Sequence, residues 1–276
     1  LWEMGNKEGC LIGNRHKKSK MEVANGIWKS YAGYSEMLCG VADDEHIFDN
    51  RKKLNPNRSV LELADACSEY KNEVAAVASW DVVPYILNYR RSQLPIDYKS
   101  RHMVSAQVRC DSVTLNSALN TLGEKHPKLL FVEFCETDYY GHHGKWNEYL
   151  NAAHQNDAFI RKLWQYCQND EFYKGNTTFI ITCDHGRGKS LGLHINRGEV
   201  DPAASWTEHG QHIAGSNQTW LVAFGKDIQH LGEVEGGKTI YTKQIAPTIA
   251  HILNVPFTNG DEQVATPIYK ILKQVN

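Results

Sequence analysis

Leu129-Leu130-Phe131-Val132-Glu133-Phe134 runs without a turn into Cys135-Glu136-Thr137-Asp138-Tyr139-Tyr140-Gly141-His142-His143-Gly144. The first six residues are short, apolar and partly β-branched or aromatic, the composition of a strand buried on both faces of a sheet. The continuation delivers two carboxylates, two imidazoles and glycines that let the backbone bend close to a site. Three other runs share the strand character: Val74 to Ser79, Thr177 to Thr182 and Thr219 to Phe224. Helical patterns lie between them. Val60 to Tyr70 follows an Asn-Pro-Asn turn, Leu115 to Leu122 precedes the strand at 129, and Asn147 to Cys167 repeats apolar residues at helical spacing. Lys243 to Leu253 is a further helix, with Pro247 at a kink or a late start. Strands alternating with helices predict an α/β fold with a largely parallel sheet covered by helices on both faces. No repeat, low-complexity tract or long linker interrupts residues 1–276, which predicts a single domain. Segment 186–218 has no clear periodicity, and a structureless stretch of that length is often functional.

Composition narrows the function. The 276 residues carry 30 Lys+Arg against 32 Asp+Glu, a net charge of −2, which argues against bulk nucleic-acid binding. The basic run Arg15-His16-Lys17-Lys18-Ser19-Lys20 reads as a solvated loop. No apolar stretch approaches the roughly 20 residues of a membrane span. Seven scattered cysteines without a CxxC pair speak against a disulfide framework or a cysteine zinc site; Cys135 and Cys183 read as small buried hydrophobes. The chain opens at Leu1, with neither an initiator Met nor a signal segment in the sequence.

In open α/β sheets, sites collect at the carboxyl ends of strands. Two such ends carry Asp138…His142 and Asp184-His185-Gly186, and Glu208-His209-Gly210-Gln211-His212 precedes the strand at 219. Asp and His suit borderline divalent metals, zinc above all. Alone, the first pair resembles any surface turn, and Asp184 resembles a helix cap; the recurrence of three such segments at strand edges carries the metal reading. A nucleophile candidate is Ser30, opening Ser30-Tyr31-Ala32-Gly33-Tyr34-Ser35-Glu36, where helix N-terminal amides favour negative charge. Ser30 is equally suited to N-cap that helix.

Together these residues resemble the alkaline phosphatase superfamily, particularly its nucleotide pyrophosphatase/phosphodiesterase-like branch. Ser30 to Gly40 looks like its nucleophile helix, Asp138-Tyr-Tyr-Gly-His142 like the ligand pair of one metal, Asp184-His185-Gly186 like that of the other, and His209-Gly210 like the final histidine ligand. Asn50 is similar in spacing to the phosphate-holding Asn, and Gln244 to Leu253 to the helix after the last site segments. The resemblance implies a three-layer α/β/α sandwich and a hydrolase for phosphoric mono- or diesters with two divalent ions, zinc or, alternatively, manganese or another divalent metal. In it Ser30 attacks phosphorus, the phosphoserine is hydrolysed by water, and Asn50, the Tyr31 amide and Arg187 hold phosphate oxygens. Asp138, His142 and His209 are expected on one ion, and Asp184, His185 and Ser30 on the other. Glu136, His143 and His212 stand beside these ligands as orienting candidates.

The chain departs from the pattern at Ala32 and Lys226, where the family usually has proline. The strand ending in the family's first metal-ligand Asp is expected upstream of Leu1. Its absence from residues 1–276 implies one tightly and one weakly held metal, poor activation of Ser30, and unpaired strand edges in the sheet. Activity and metal affinity are expected to fall together in acid, because the ligands must be deprotonated. A sulfatase is disfavoured because no Pro or Arg follows Ser30 closely, and a phosphomutase because 276 residues leave little room for a cap domain. The remaining alternative is a non-catalytic or impaired metal-binding protein of the same fold. The implied partner is a small phosphoester substrate; substrate identity and oligomeric state stay open. The family often acts outside the cytoplasm, implying a periplasmic or secreted enzyme, while the unpaired cysteines point the other way.

Overall fold

The computed structural model describes residues 1–188, 205–259 and 264–274. The chain begins with α1 (Trp2–Glu8), β1 (Gly9–Ile12), β2 (Met21–Glu22) and α2 (Ser30–Cys39). There follow α3 (Val60–Ala66), β3 (Val74–Ala78), α4 (Val83–Ile86), α5 (Tyr89–Ser92) and β4 (Ile96–Asp97). The central elements are α6 (Asp111–Lys125), β5 (Leu129–Glu133), α7 (Glu136–His142), α8 (Trp146–Asn169) and β6 (Thr178–Thr182). The last are β7 (Gln218–Thr219), β8 (Leu221–Gly225), β9 (Gly232–Glu233), β10 (Ile240–Tyr241) and α9 (Ile245–Ile252). They fall into two compact units: residues 1–50, 175–252 and 258–276 form the first, and 51–174 with 253–257 the second.

The first unit is built on a mixed sheet ordered β6-β8-β1-β9. β8 is antiparallel to both β6 and β1, while β9 is parallel to β1. A largely parallel sheet was expected here. The described part of the connection from β6 to β8 carries no helix, and antiparallel neighbours need no helical crossover. β1 escapes the sequence pattern because it is only four residues long. Its Gly9 is required by crowding: a Cβ there would stand 1.9 Å from the Ala223 carbonyl oxygen. Cys10, Ile12, Leu221 and Ala223 from the sheet pack with Met37 of α2 and Ile245 of α9 to make the core. Pro247 sits in the first turn of α9, where its missing N–H costs nothing, so the late start is the correct alternative. Lys226 replaces the expected proline and donates its backbone N–H to Thr177, 3.0 Å away, a bond proline cannot make.

The second unit contains a three-stranded parallel sheet ordered β4-β3-β5. β3, Val-Ala-Ala-Val-Ala, is buried along its whole length, as its central place requires. β5 and β6 correct the expectation of strands buried on both faces. Each is an edge strand of its own sheet among the described residues, and their apolar runs are mostly half-buried. α3 is capped by Ser59, whose Oγ accepts the Glu62 N–H at 3.2 Å, and ends at Ala66, short of the predicted Tyr70. α6 and α8 extend beyond their predicted spans.

Candidate metal and nucleophile site

In the first unit, β6 ends at Thr182 and releases Cys183, Asp184 and His185 at its carboxyl end. Burial pushes the Cys183 thiol up to about 12, so it remains a neutral apolar filler beside the carboxylate. α2 lies directly against this turn. A Cβ on Gly33 would stand 2.1 Å from the Asp184 carbonyl oxygen, so only glycine permits the approach. Gly186 is equally confined: a Cβ would meet the Gly215 and Gln218 carbonyl oxygens at 2.3 and 2.4 Å. The Gly186 N–H donates to Ser216 at 2.8 Å, which fixes the exit from the site.

Ser30 and His185 are both 7% exposed. Ser30 is the first residue of α2, with Lys29 as its N-cap, and its hydroxyl points to His185 instead of capping the helix. His185 Nδ1 is 2.8 Å from the Gly186 carbonyl oxygen, which can only accept, so Nδ1 carries the proton and Nε2 the lone pair. The Ser30 hydroxyl therefore donates to His185 Nε2 across 3.1 Å. Asp184 Oδ2 stands 3.3 Å from the same nitrogen. His209 repeats the arrangement: its Nδ1 is 3.0 Å from the Trp28 carbonyl oxygen, making Nε2 the lone-pair nitrogen. The His185 and His209 rings stack with centroids 3.7 Å apart.

Asp184 Oδ2 and the Nε2 lone pair of His185, 3.3 Å apart, repel one another unless positive charge stands between them. They are the donors a divalent cation takes, and an Nδ1–H given to a backbone carbonyl is how metal-binding histidines are commonly oriented. The residues fit a metal.

Asn50 and Tyr31 meet, but with each other: the Tyr31 N–H donates to Asn50 Oδ1 at 2.9 Å. Arg187 Nη1 donates to the Trp206 and Thr207 carbonyls at 3.3 and 2.9 Å, and the Gly188 N–H donates to Glu208 at 3.0 Å. These bonds tie the residues after β6 to the segment that carries His209. His212 is exposed.

In the second unit, Asp138 and His142 lie one turn apart on α7, with Asp138 Oδ2 3.5 Å from His142 Nε2. Their side chains are 32% and 36% exposed. His143 Nδ1 is 2.7 Å from the Tyr139 carbonyl oxygen. Glu136 Oε1 accepts the Asp111 N–H at 2.9 Å, while Asp111 accepts the N–H groups of Cys135 and Glu136 at 2.8 and 3.0 Å. The N-termini of α6 and α7 thus cap each other. Asp111 left no mark in the sequence, since a carboxylate opening a helix is ordinary. Glu36 and Asn25 likewise carry no signal in the sequence; Glu36 is 1% exposed within the buried face of α2.

Comparison with known proteins identifies the chain. The profile of the Metalloenzyme superfamily matches residues 71–256, about two thirds of the sequence. The chain belongs to that superfamily. Among solved structures, wild-type alkaline phosphatase PafA matches this Metalloenzyme superfamily chain with a TM-score of 0.69 and 10% identity, over 98% of this chain and 94% of the other. Murine ectonucleotide pyrophosphatase/phosphodiesterase 5 gives 0.66 and 11%, over 99% and 94%. The lipoteichoic acid synthase LtaP from Listeria monocytogenes gives 0.65 and 10%, over 94% and 66%. The α/β fold of alkaline phosphatases expected from the motifs is therefore the fold of this superfamily member. A curated relative, the 2,3-bisphosphoglycerate-independent phosphoglycerate mutase of Gracilaria tenuistipitata var. liui, is 33% identical over 143 residues, 52% of this chain. The chain spans about a quarter of that relative's length. Membership of the Metalloenzyme superfamily implies divalent metal ions. Among the described residues no helix is long and apolar enough to cross a membrane.

Proposed function

We propose that the chain is a metal-dependent phosphoester hydrolase with Ser30 as its nucleophile. The observation that carries this reading is the buried Ser30 hydroxyl at 3.1 Å from His185 Nε2, with Asp184 Oδ2 at 3.3 Å from the same nitrogen. Asp184, His185 and Ser30 would hold one divalent ion, zinc by donor chemistry; the motif resemblance assigns Asp138, His142 and His209 to a second. When bound, such ions supply the positive charge that lowers the pKa of a serine hydroxyl and offsets the charge on phosphoryl oxygens.

The chain's own residues then divide the work. Ser30 Oγ, held at the start of α2, gives up its proton to solvent and attacks phosphorus as the bond to the leaving oxygen breaks, and the leaving alkoxide takes a proton from solvent to depart as the alcohol. Water attacks the resulting serine phosphoester, restoring the hydroxyl and releasing phosphate from a monoester substrate or a phosphomonoester from a diester. Asn50, its Oδ1 taken by the Tyr31 N–H, would turn its carboxamide N–H groups to a phosphoryl oxygen. Arg187 would add positive charge there while its Nη1 holds the 206–207 backbone. The substrate is a small phosphoric mono- or diester, and the enzyme acts outside the cytoplasm.

The test is a panel of p-nitrophenyl phosphate and its diester relatives, with zinc added, comparing the native chain with Ser30→Ala. Turnover that is abolished by a chelator, restored by zinc and lost in Ser30→Ala is expected. Equal turnover in both proteins excludes Ser30. A second reading follows from the curated relative: the phosphoserine could pass its phosphoryl group to another hydroxyl instead of water. With a phosphomonoester that carries a free hydroxyl as substrate, release of inorganic phosphate supports hydrolysis, whereas an isomeric phosphomonoester supports the mutase.

A further inference from the structure

Glu36 is a buried carboxylate on the same helix as Ser30, yet it takes no part in the chemistry above. Its oxygens accept from the backbone of Ala24 at 2.8 and 2.9 Å and of Asn25 at 2.8 Å. They accept also from Asn25 Nδ2 at 2.8 Å, the Thr242 hydroxyl at 2.6 Å and the Lys243 N–H at 3.0 Å. Hydrogen bonds to a carboxylate are roughly twice as strong as neutral ones.

Asn25, 2% exposed, passes that constraint on. With Nδ2 committed to Glu36, its Oδ1 faces the chain ahead and accepts the N–H groups of Ile27 at 3.1 Å and Trp28 at 2.9 Å. Trp28 stands in the left-handed region, φ +54°, which a bulky residue adopts only when its surroundings impose it. In that conformation its carbonyl oxygen receives the His209 Nδ1–H. Had Trp28 the usual negative φ, its peptide would turn and that acceptor would be lost. His209 would then be released to either tautomer and to other ring orientations.

We infer that Glu36 and Asn25 are positioning residues that set the tautomer and orientation of His209 through the left-handed Trp28 peptide. The inference rests on the metal-ligand role proposed for His209, because it assigns these two residues to presenting Nε2 to the ion. One carboxylate thereby couples the helix that carries Ser30 to the support of a histidine distant in sequence.

The experiment uses the full chain and two readouts. Zinc affinity is measured by competition with a chromophoric chelator. The His209 tautomer is read from imidazole ¹⁵N shifts of the metal-free protein, with His209→Gln to assign the signal. Asn25→Ala is expected to weaken zinc binding by roughly 10–100-fold, the usual cost of losing an orienting partner, and to convert His209 from one tautomer to a mixture. Glu36→Gln should act in the same direction. Asn25→Ser keeps a weaker acceptor for the Trp28 N–H and should fall between native and Asn25→Ala, which also serves if the alanine variant does not fold. Adding Trp28→Gly to Asn25→Ala should recover most of the affinity, because glycine adopts positive φ without steric cost.

Folded Asn25→Ala or Asn25→Ser proteins with native zinc affinity and an unchanged Nδ1–H tautomer overturn the inference. A tautomer shift in a chain whose Ser30→Ala variant stays active would leave the positioning role standing and remove the hydrolase reading. An unchanged tautomer with an inactive Ser30→Ala would do the reverse.

Discussion

The Ser30–His185 group and the Asp138–His142 pair carry the same kinds of donor on very different supports. Ser30 and His185 are almost wholly buried, and His185 and His209 each give Nδ1–H to a backbone carbonyl. Close backbone approaches at Gly33 and Gly186 leave this region little room to relax. Asp138 and His142 are about one third exposed on a seven-residue helix, and their spacing comes from helical periodicity alone. That helix is secured at its N-terminus, by Asp111. The first region is preorganised by tertiary contacts and the second by a cap, so they should fail differently when perturbed.

The largest expected effect is on turnover. On the proposed nucleophile role, Ser30→Ala should lower the rate on the order of 10⁴-fold or more, whereas His142→Ala should cost less. Steady-state assays with zinc at saturation decide this, and an equal loss in both variants would break the contrast.

The cap of α7 should reveal itself in pH dependence. Burial pushes the Asp111 carboxyl from 3.8 up to about 6. A raised folded-state pKa means that the native protein holds the proton more tightly than the unfolded chain. The associated stability is complete below about pH 4 and is lost as pH rises through about 6. Unfolding free energies of native and Asp111→Asn proteins from urea titrations should therefore diverge by roughly 2–3 kcal/mol between pH 4 and 7, the native protein losing ground as pH rises. A constant difference across that window would show that Asp111 titrates normally.

Two helical glycines sharpen the same comparison. Gly33→Ala drives a Cβ into the Asp184 backbone and should cost about 1–3 kcal/mol in a denaturant titration. Gly123→Ala, in α6, meets the end of the Tyr166 side chain, its hydroxyl at 3.0 Å and its Cζ at 3.9 Å. There the gain in helix propensity should leave a change within about 1 kcal/mol. The smallest effect is expected on the surface of α8, where Arg161 lies 3.6 Å from Asp157. Arg161→Ala should shift stability by no more than about 0.5 kcal/mol, and a larger loss would mark that face as more than solvated surface.

Much of this was legible from residue order. The strands at 74, 129 and 178 follow from apolar runs, the helix Ser30–Cys39 from its resemblance to a nucleophile helix, and two Asp-His segments stand where the strands at 129 and 178 end. β1 was not legible, because four residues between a helix and a basic loop carry no periodic signal. Nor was the antiparallel placement of β8, which depends on which strands meet.

The sequence alone determined which donors exist, Ser30, Asp138, His142, Asp184, His185 and His209, and that the Asp and His segments recur at strand edges of an α/β chain. Those are matters of residue type and local spacing, which short-range physics sets. Tertiary structure alone decided which nitrogen of His185 and His209 carries the proton, that the Tyr31 amide is taken by Asn50, and that Glu36 holds Asn25 and Thr242. Each of these depends on a hydrogen bond between a side chain and an atom that only folding brings near. A proton's place on an imidazole is settled by its nearest acceptor and not by its neighbours in the chain.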